Sequence, residues 1–136
     1  MILLRRDVFV RRPPEAVFDF LADPRNEERW NPNVIRIVPL SPGTFEGTYR
    51  RGGRMHFELT EYDRPHRLVF RGGGRQMRLV ATVEVAPADG GAIVEMRADM
   101  RPRGPFRLLT PALRPIAEHQ YAGVAQRFRA VIEEER

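Results

Sequence analysis

Only one stretch of this 136-residue chain can form a long helix, and it comes last. Apolar side chains fall there at Leu113, Ile116, Ala117, Tyr121, Val124, Phe128, Val131 and Ile132, a spacing of threes and fours that gives a helix one broad apolar face. Nearly everything before it is interrupted every few residues by glycine or proline. The closing segment, 105–135, is therefore the one element able to cover whatever the earlier part builds.

Ahead of that helix the period is two. Strands are predicted at 3–11, 34–40, 47–51, 55–62, 67–70, 77–85 and 93–100. Between the last six lie Ser41-Pro42-Gly43, Gly52-Gly53, Asp63-Arg64-Pro65, Gly72-Gly73-Gly74 and Asp89-Gly90-Gly91, all good turn chemistry. Connections this short imply an antiparallel meander. Each glycine cluster leads into a strand and not into a helix, which argues against phosphate loops. Met55, Phe57 and Leu59 share one face, as do Met77, Leu79, Ala81, Val83 and Val85, and Val94, Met96, Ala98 and Met100. The opposite faces carry Glu58, Arg78, Thr82, Glu84, Glu95, Arg97 and Asp99, so one side of the sheet is wet and the other needs a cover. Arg6 falls on the apolar side of the first strand with Leu4, Val8 and Val10, and is expected to snorkel from a sheet end.

Two short helices are predicted between the first and second strands. Pro14 and Glu15 open one with Val17, Phe18 and Leu21 on its apolar face. Asp23 as cap and Pro24 at the first position open another, which ends near Trp30. In the closing helix Thr110 is the predicted cap, and Pro115 should kink or restart the helix because it lacks the N–H that would bond residue 111. Residues 105–114 then form an irregular approach around Phe106 and Leu109, the expected mouth of a pocket.

Composition removes several chemistries. With no cysteine there is no disulfide, thiolate ligand or cysteine nucleophile. All 23 basic residues are arginine, so no lysine can form a Schiff base, and the one serine, Ser41, sits in a predicted turn away from any histidine. The arginines are spread along the chain between acids, unlike the one-sided charge of nucleic-acid binders, and are expected on solvated outer faces. No apolar run is long enough for a membrane span, and the start is too short for a signal peptide. One cytoplasmic domain over 1–136, monomeric or homodimeric, is expected.

The order of elements resembles the START-like, or SRPBCC, superfamily and in particular its polyketide cyclase/dehydrase branch. The residues carrying the resemblance are Pro14, Val17, Phe18, Asp23, Pro24, Trp30 and Pro32 in the helical pair, then Gly47-Thr48, and then the run from Glu61 through Asp63, Pro65 and Leu68-Val69-Phe70. The resemblance implies an α+β helix-grip fold, a curved antiparallel sheet of about seven strands wrapped around a long C-terminal helix. It also implies an apolar cavity between them that binds a small hydrophobic ligand, polyketide-, lipid- or sterol-like. A minority of the superfamily are cyclases, aromatases or dehydratases, and no universal catalytic residue carries over, so the catalytic residues stay unassigned.

The candidate ligand-binding residues are Trp30, Tyr49, Phe57, Phe70, Phe106 and Tyr121 as aromatic surface, Met55, Met77, Met96 and Met100 as adaptable surface, with Leu79, Leu109 and Gln120. At 100° per residue Gln120 falls within the apolar arc of the closing helix and His119 opposite it, leaving Gln120 as either a structural amide or a ligand contact. Tyr49 and Tyr121 are the residues expected to make a polar contact. His56 and Glu58 share a strand face, but it is the wet one, and no metal or cofactor is predicted. The leading function is ligand binding. A cyclase or dehydratase working by acid/base catalysis, helped by a tyrosine or Arg51, is the alternative, and a protein-interaction module the third. Convergent polar groups of shifted pKa would favour the enzyme.

Overall fold

The computed structural model describes residues 1–134; residue 135, included in the predicted closing segment, lies outside them. The chain runs β1 (Ile2–Val10), α1 (Pro14–Ala22), a 3-10 turn (Pro24–Asn26), α2 (Glu27–Trp30), β2 (Val34–Ser41), β3 (Thr44–Tyr49), β4 (Gly53–Asp63), β5 (Arg67–Gly73), β6 (Met77–Ala88), β7 (Gly91–Pro102), a second 3-10 turn (Gly104–Leu109) and α3 (Thr110–Glu134). The strands form one antiparallel sheet in the order β1-β7-β6-β5-β4-β3-β2. β1 and β2 are consecutive strands at opposite edges, so α1 and α2 carry the chain across the inner face between them. This is the α+β helix-grip architecture.

Local chemistry explains the crossing. Pro14 occupies the first turn of α1 with Glu15 beside it, where a missing N–H is harmless and an acid meets the positive end of the helix. Asp23 then caps the 3-10 turn, accepting from the Arg25 backbone N–H at 3.1 Å while its carboxylate holds the Arg25 guanidinium at 2.9 Å. The Arg25 hydrogen bond keeps the Asp23 carboxyl below its usual range. Glu28 Oε2 accepts from the Ile37 backbone N–H at 3.2 Å, fixing α2 to β2 beside the register shift between Val34 and Arg36.

Three apolar clusters line the inner face. The largest joins Val8, Val10, Val17, Phe18, Phe20, Leu21, Trp30, Leu68, Phe128 and Ile132; Phe128 is fully buried and meets the Trp30 ring edge-on at 5.3 Å. A second, at the β2–β4 edge, holds Val34, Ile37, Tyr49 and Met55. The third, at the opposite edge, gathers Ile2, Leu4 and Ala98 beneath Leu113, Ala117 and Tyr121 of α3. The helix therefore lies chiefly along β1 and α2, and the sheet between the two edge clusters is left partly uncovered.

The strand arginines Arg5, Arg67 and Arg97 lie on the outer face, as expected. Arg67 pairs with Glu61 and Glu84, Arg97 with Glu84 and Glu95, and Arg5 with Glu95, a ladder of alternating charge across β4, β5, β6, β7 and β1. His56 belongs to this wet side, its Nε2 lying 2.9 Å from Glu46 Oε2 on the neighbouring strand.

Four expectations are corrected. β5 continues through Gly72 and Gly73, which pair with Leu79 and Arg78, because glycine has no side chain to prevent a very close strand approach; a Cβ on Gly72 would strike the backbone of His56 and Phe57. α3 does not begin anew at Pro115 but continues through it, since the one lost hydrogen bond falls on the carbonyl of exposed Pro111, near the helix start, within reach of water. Thr110 is not a cap: its backbone is already helical, and its hydroxyl donates to the Arg107 carbonyl at 2.8 Å. Arg6 is not at a sheet end but in mid-strand opposite Met96, and it is exposed.

Candidate ligand-binding site

The uncovered part of the inner face is an apolar floor. Phe70, Phe57 with Met77, and Leu79 with Met100 lie on it, each packed on one side against one of the three clusters and only partly buried. Strand register explains why it is low: Ala81 faces Ala98, and Gly72 separates Phe57 from Leu79. Phe57 is its centre, stacked on Phe45 at 5.6 Å and edge-on to Phe70 at 6.0 Å.

Two clefts open elsewhere on the surface, and the floor residues line neither. One, of about 620 Å³, lies between α3 and the β3–β4 turn and is lined by Pro32, Asn33, Arg50, Arg51, Pro115, Ile116, His119 and Gln120. Its far wall is pinned: Asn33 Oδ1 accepts from the Arg51 backbone N–H at 2.9 Å, and Arg50 Nε donates to the Pro32 carbonyl at 3.0 Å. The other, of about 630 Å³, lies between α1 and the β2–β3 turn, with Asp19, Asp23, Arg25, Leu40, Phe45 and Tyr62 among its lining. Phe45 connects this second cleft to Phe57 on the floor.

Polar groups converge beneath α3. Burial pushes the Glu27 carboxyl up to about 7, against a weaker opposing effect of the hydrogen bond from Asn31 Nδ2 at 3.4 Å. Tyr49 and Tyr121 are raised well above the ordinary phenol range, first by burial and then by the charge of Glu27. The charge of Arg6 acts on Tyr121 in the opposite direction. A carboxyl from α2, a phenol from β3, a phenol from α3 and a guanidinium from β1 thus share one electrostatic neighbourhood. Its neutral phenols can donate hydrogen bonds, and its carboxyl can hold or release a proton near neutral pH.

The predicted residues separate into four groups. Phe57, Phe70, Met77, Leu79 and Met100 form the floor, and Tyr49, Tyr121 and Gln120 border it or the first cleft. Trp30, Met55 and Met96 are buried as core. Phe106 and Leu109 do not line the cleft; Leu109 is exposed in the 3-10 turn before α3. Glu27 was not among the expectations. The available signal was its place one turn before Trp30, so that both point inward from a four-residue helix. Among the described residues no group of three His, Asp or Glu is placed to hold a metal, and no helix is long and apolar enough to cross a membrane.

Comparison with known proteins agrees with this architecture. A family described as polyketide cyclase / dehydrase and lipid transport matches residues 1–133. A START superfamily protein from Mycobacterium smegmatis superposes with a TM-score of 0.82 at 12% identity, covering 98% of this chain and 99% of that one. A protein from Deinococcus radiodurans gives 0.75 at 19% identity, covering 98% of each. The di-domain ARO/CYC StfQ of the steffimycin biosynthetic pathway gives 0.72 at 14% identity, covering 98% of this chain and 51% of that one. No curated protein matches the sequence.

Proposed function

The chain belongs to the polyketide cyclase / dehydrase and lipid transport family, and from that premise we propose that it binds a small hydrophobic or aromatic ligand, polyketide-, lipid- or sterol-like, between the sheet and α3. The observation carrying this reading is the floor. Phe57, Phe70, Met77, Leu79 and Met100 stay only partly buried in a domain that buries Phe18, Phe128 and Leu68 completely. Apolar area of this size gains stability when it leaves water, at roughly 25 cal/mol per Å², and a ligand is what can remove it. The bordering groups, Tyr49, Tyr121, Gln120 and Glu27, suit a ligand with carbonyl or hydroxyl functions along an apolar body. Native mass spectrometry of protein purified from its own host should show a co-purifying hydrophobic ligand. Absence of any ligand, with no thermal shift across a panel of polyketides, fatty acids and sterols, sinks the reading.

Glu27 favours a second reading, a cyclase or dehydratase. A carboxyl that titrates near pH 7 and whose charge acts on two neutral phenols is suited to proton transfer. In a dehydration it would give its proton to a departing hydroxyl, releasing water, and recover one from the adjacent carbon. Glu27→Gln should then abolish conversion of a model polyketide even at saturating concentration, where weaker binding is made up; equal conversion by the variant removes Glu27 from the chemistry.

A further inference from the structure

The first turns of the closing helical segment carry a feature that neither the floor nor the clefts use. Leu108 is 85% exposed and Leu109 48% exposed at the end of the 3-10 turn. Arg114 Nη2 donates to the Met1 carbonyl at 3.0 Å, which places Met1, itself 56% exposed, at the same end of the molecule. Large apolar side chains gathered at one tip form the kind of exposed patch that marks an interaction site.

Charge identifies the occupant. From Met100 to Ala117 the chain has four arginines and no aspartate or glutamate. Arg101 is taken up by Asp99. Arg103, Arg107 and Arg114 donate to the backbone carbonyls of Gly74, Gly104 and Met1, bonds that orient them without neutralising them. A second copy of this chain would set these cations against each other. A protein partner would need a recess for the leucines, whereas an anionic bilayer takes up protruding apolar groups and meets a basic collar with phosphates.

We propose that this tip docks reversibly on an anionic lipid surface, with Leu108 and Leu109 entering the apolar boundary and Arg103, Arg107 and Arg114 meeting headgroup phosphates. Ile116, seven residues beyond Leu109 in the first turns of α3, lines the cleft beside Gln120. Docking would therefore set the cleft close to the lipid surface. The proposal stands whatever the floor holds.

Sedimentation of the intact protein with phosphatidylcholine vesicles, with and without phosphatidylglycerol, tests it. Binding is expected only to the phosphatidylglycerol vesicles, to weaken with added salt, to fall at least about ten-fold in the Leu108→Asp/Leu109→Asp double variant, and to fall about five-fold for each arginine removed by Arg107→Gln or Arg114→Gln. Thermal unfolding of each variant confirms that it is folded, and the single arginine variants serve if the double variant is not. Failure to bind any vesicle, or binding that neither the leucine nor the arginine variants alter, overturns the proposal.

Discussion

The ring of Tyr49 lies across the α-carbon of Gly47: a Cβ built on that glycine would fall 2.6 Å from the ring and hydroxyl of the tyrosine. The two residues are on the same face of β3, and the missing side chain of one is the seat of the other. This brings a phenol back over the sheet, beside the floor, when it would otherwise stand away from it. Gly47→Ala should displace the ring and destabilise the domain by about 1–3 kcal/mol, the usual cost of overpacking. Urea denaturation checks the stability, and the quantum yield of a bound fluorescent ligand should change with it. An unchanged midpoint would show that Tyr49 has a second, equally good position.

Glu27 predicts an unusual pH dependence. Its carboxyl ordinarily titrates near 4.5 and in the folded chain near 7, so between those values the folded state holds the extra proton. Stability from this group is complete below the lower value and is lost as pH rises through the higher one, by about 3 kcal/mol in all. Glu27→Gln should remove this slope and be more stable than the parent at pH 8. Chemical denaturation at pH 5 and pH 8 measures it, and parallel losses in parent and variant would place the titrating group elsewhere.

Phe128 should be the least replaceable residue of α3. It is fully buried, edge-on to Trp30 at 5.3 Å and 6.2 Å from Phe20, and so ties the closing helix to both short helices. Phe128→Ala should cost about 3–5 kcal/mol through lost burial and the cavity left behind. Thermal unfolding should register the loss, whereas a cost below about 1 kcal/mol would mean that α1 and α2 collapse freely into the gap.

Much of this architecture was legible because it is written in local periodicity. Alternation placed Met77, Leu79, Ala81, Val83 and Val85 on one face, and the spacing from Val124 to Phe128 and Ile132 set the buried stripe of α3. What was illegible is non-local. The sideways placement of α3 over β1, which leaves the floor open, depends on packing between segments over a hundred residues apart in sequence, as the bond between Arg114 and Met1 illustrates. Glu27 stands beside Glu28 and Arg29 in a single helical turn, so its spacing of three from Trp30 is the one local sign of which acid faces inward, and nothing local shows that Tyr49 and Tyr121 share its surroundings. Arg6 was misplaced for the opposite reason. The alternation put it on the inner side correctly, but nothing local says that β1 is an edge strand from which a guanidinium reaches water in mid-strand.

Gln120 gives the sharpest test of ligand recognition. It lies on the α3 wall of the cleft with Ile116, opposite Arg51 and Asn33, and is half-buried. An amide placed there can both donate to a ligand carbonyl and accept from a ligand hydroxyl. Gln120→Leu keeps the volume and removes both functions. Ligands with a carbonyl or hydroxyl should lose roughly ten-fold in affinity, about one net hydrogen bond, while a saturated fatty chain should bind as well or better. Because the residue is not closed into the core, unfolding stability should stay within about 1 kcal/mol of the parent. Competition titrations with a matched pair, an alkanone and the corresponding alkane, read the preference directly. Equal losses for both members of the pair, or a large loss of stability, would make Gln120 a structural amide and move recognition to Tyr49 and Tyr121.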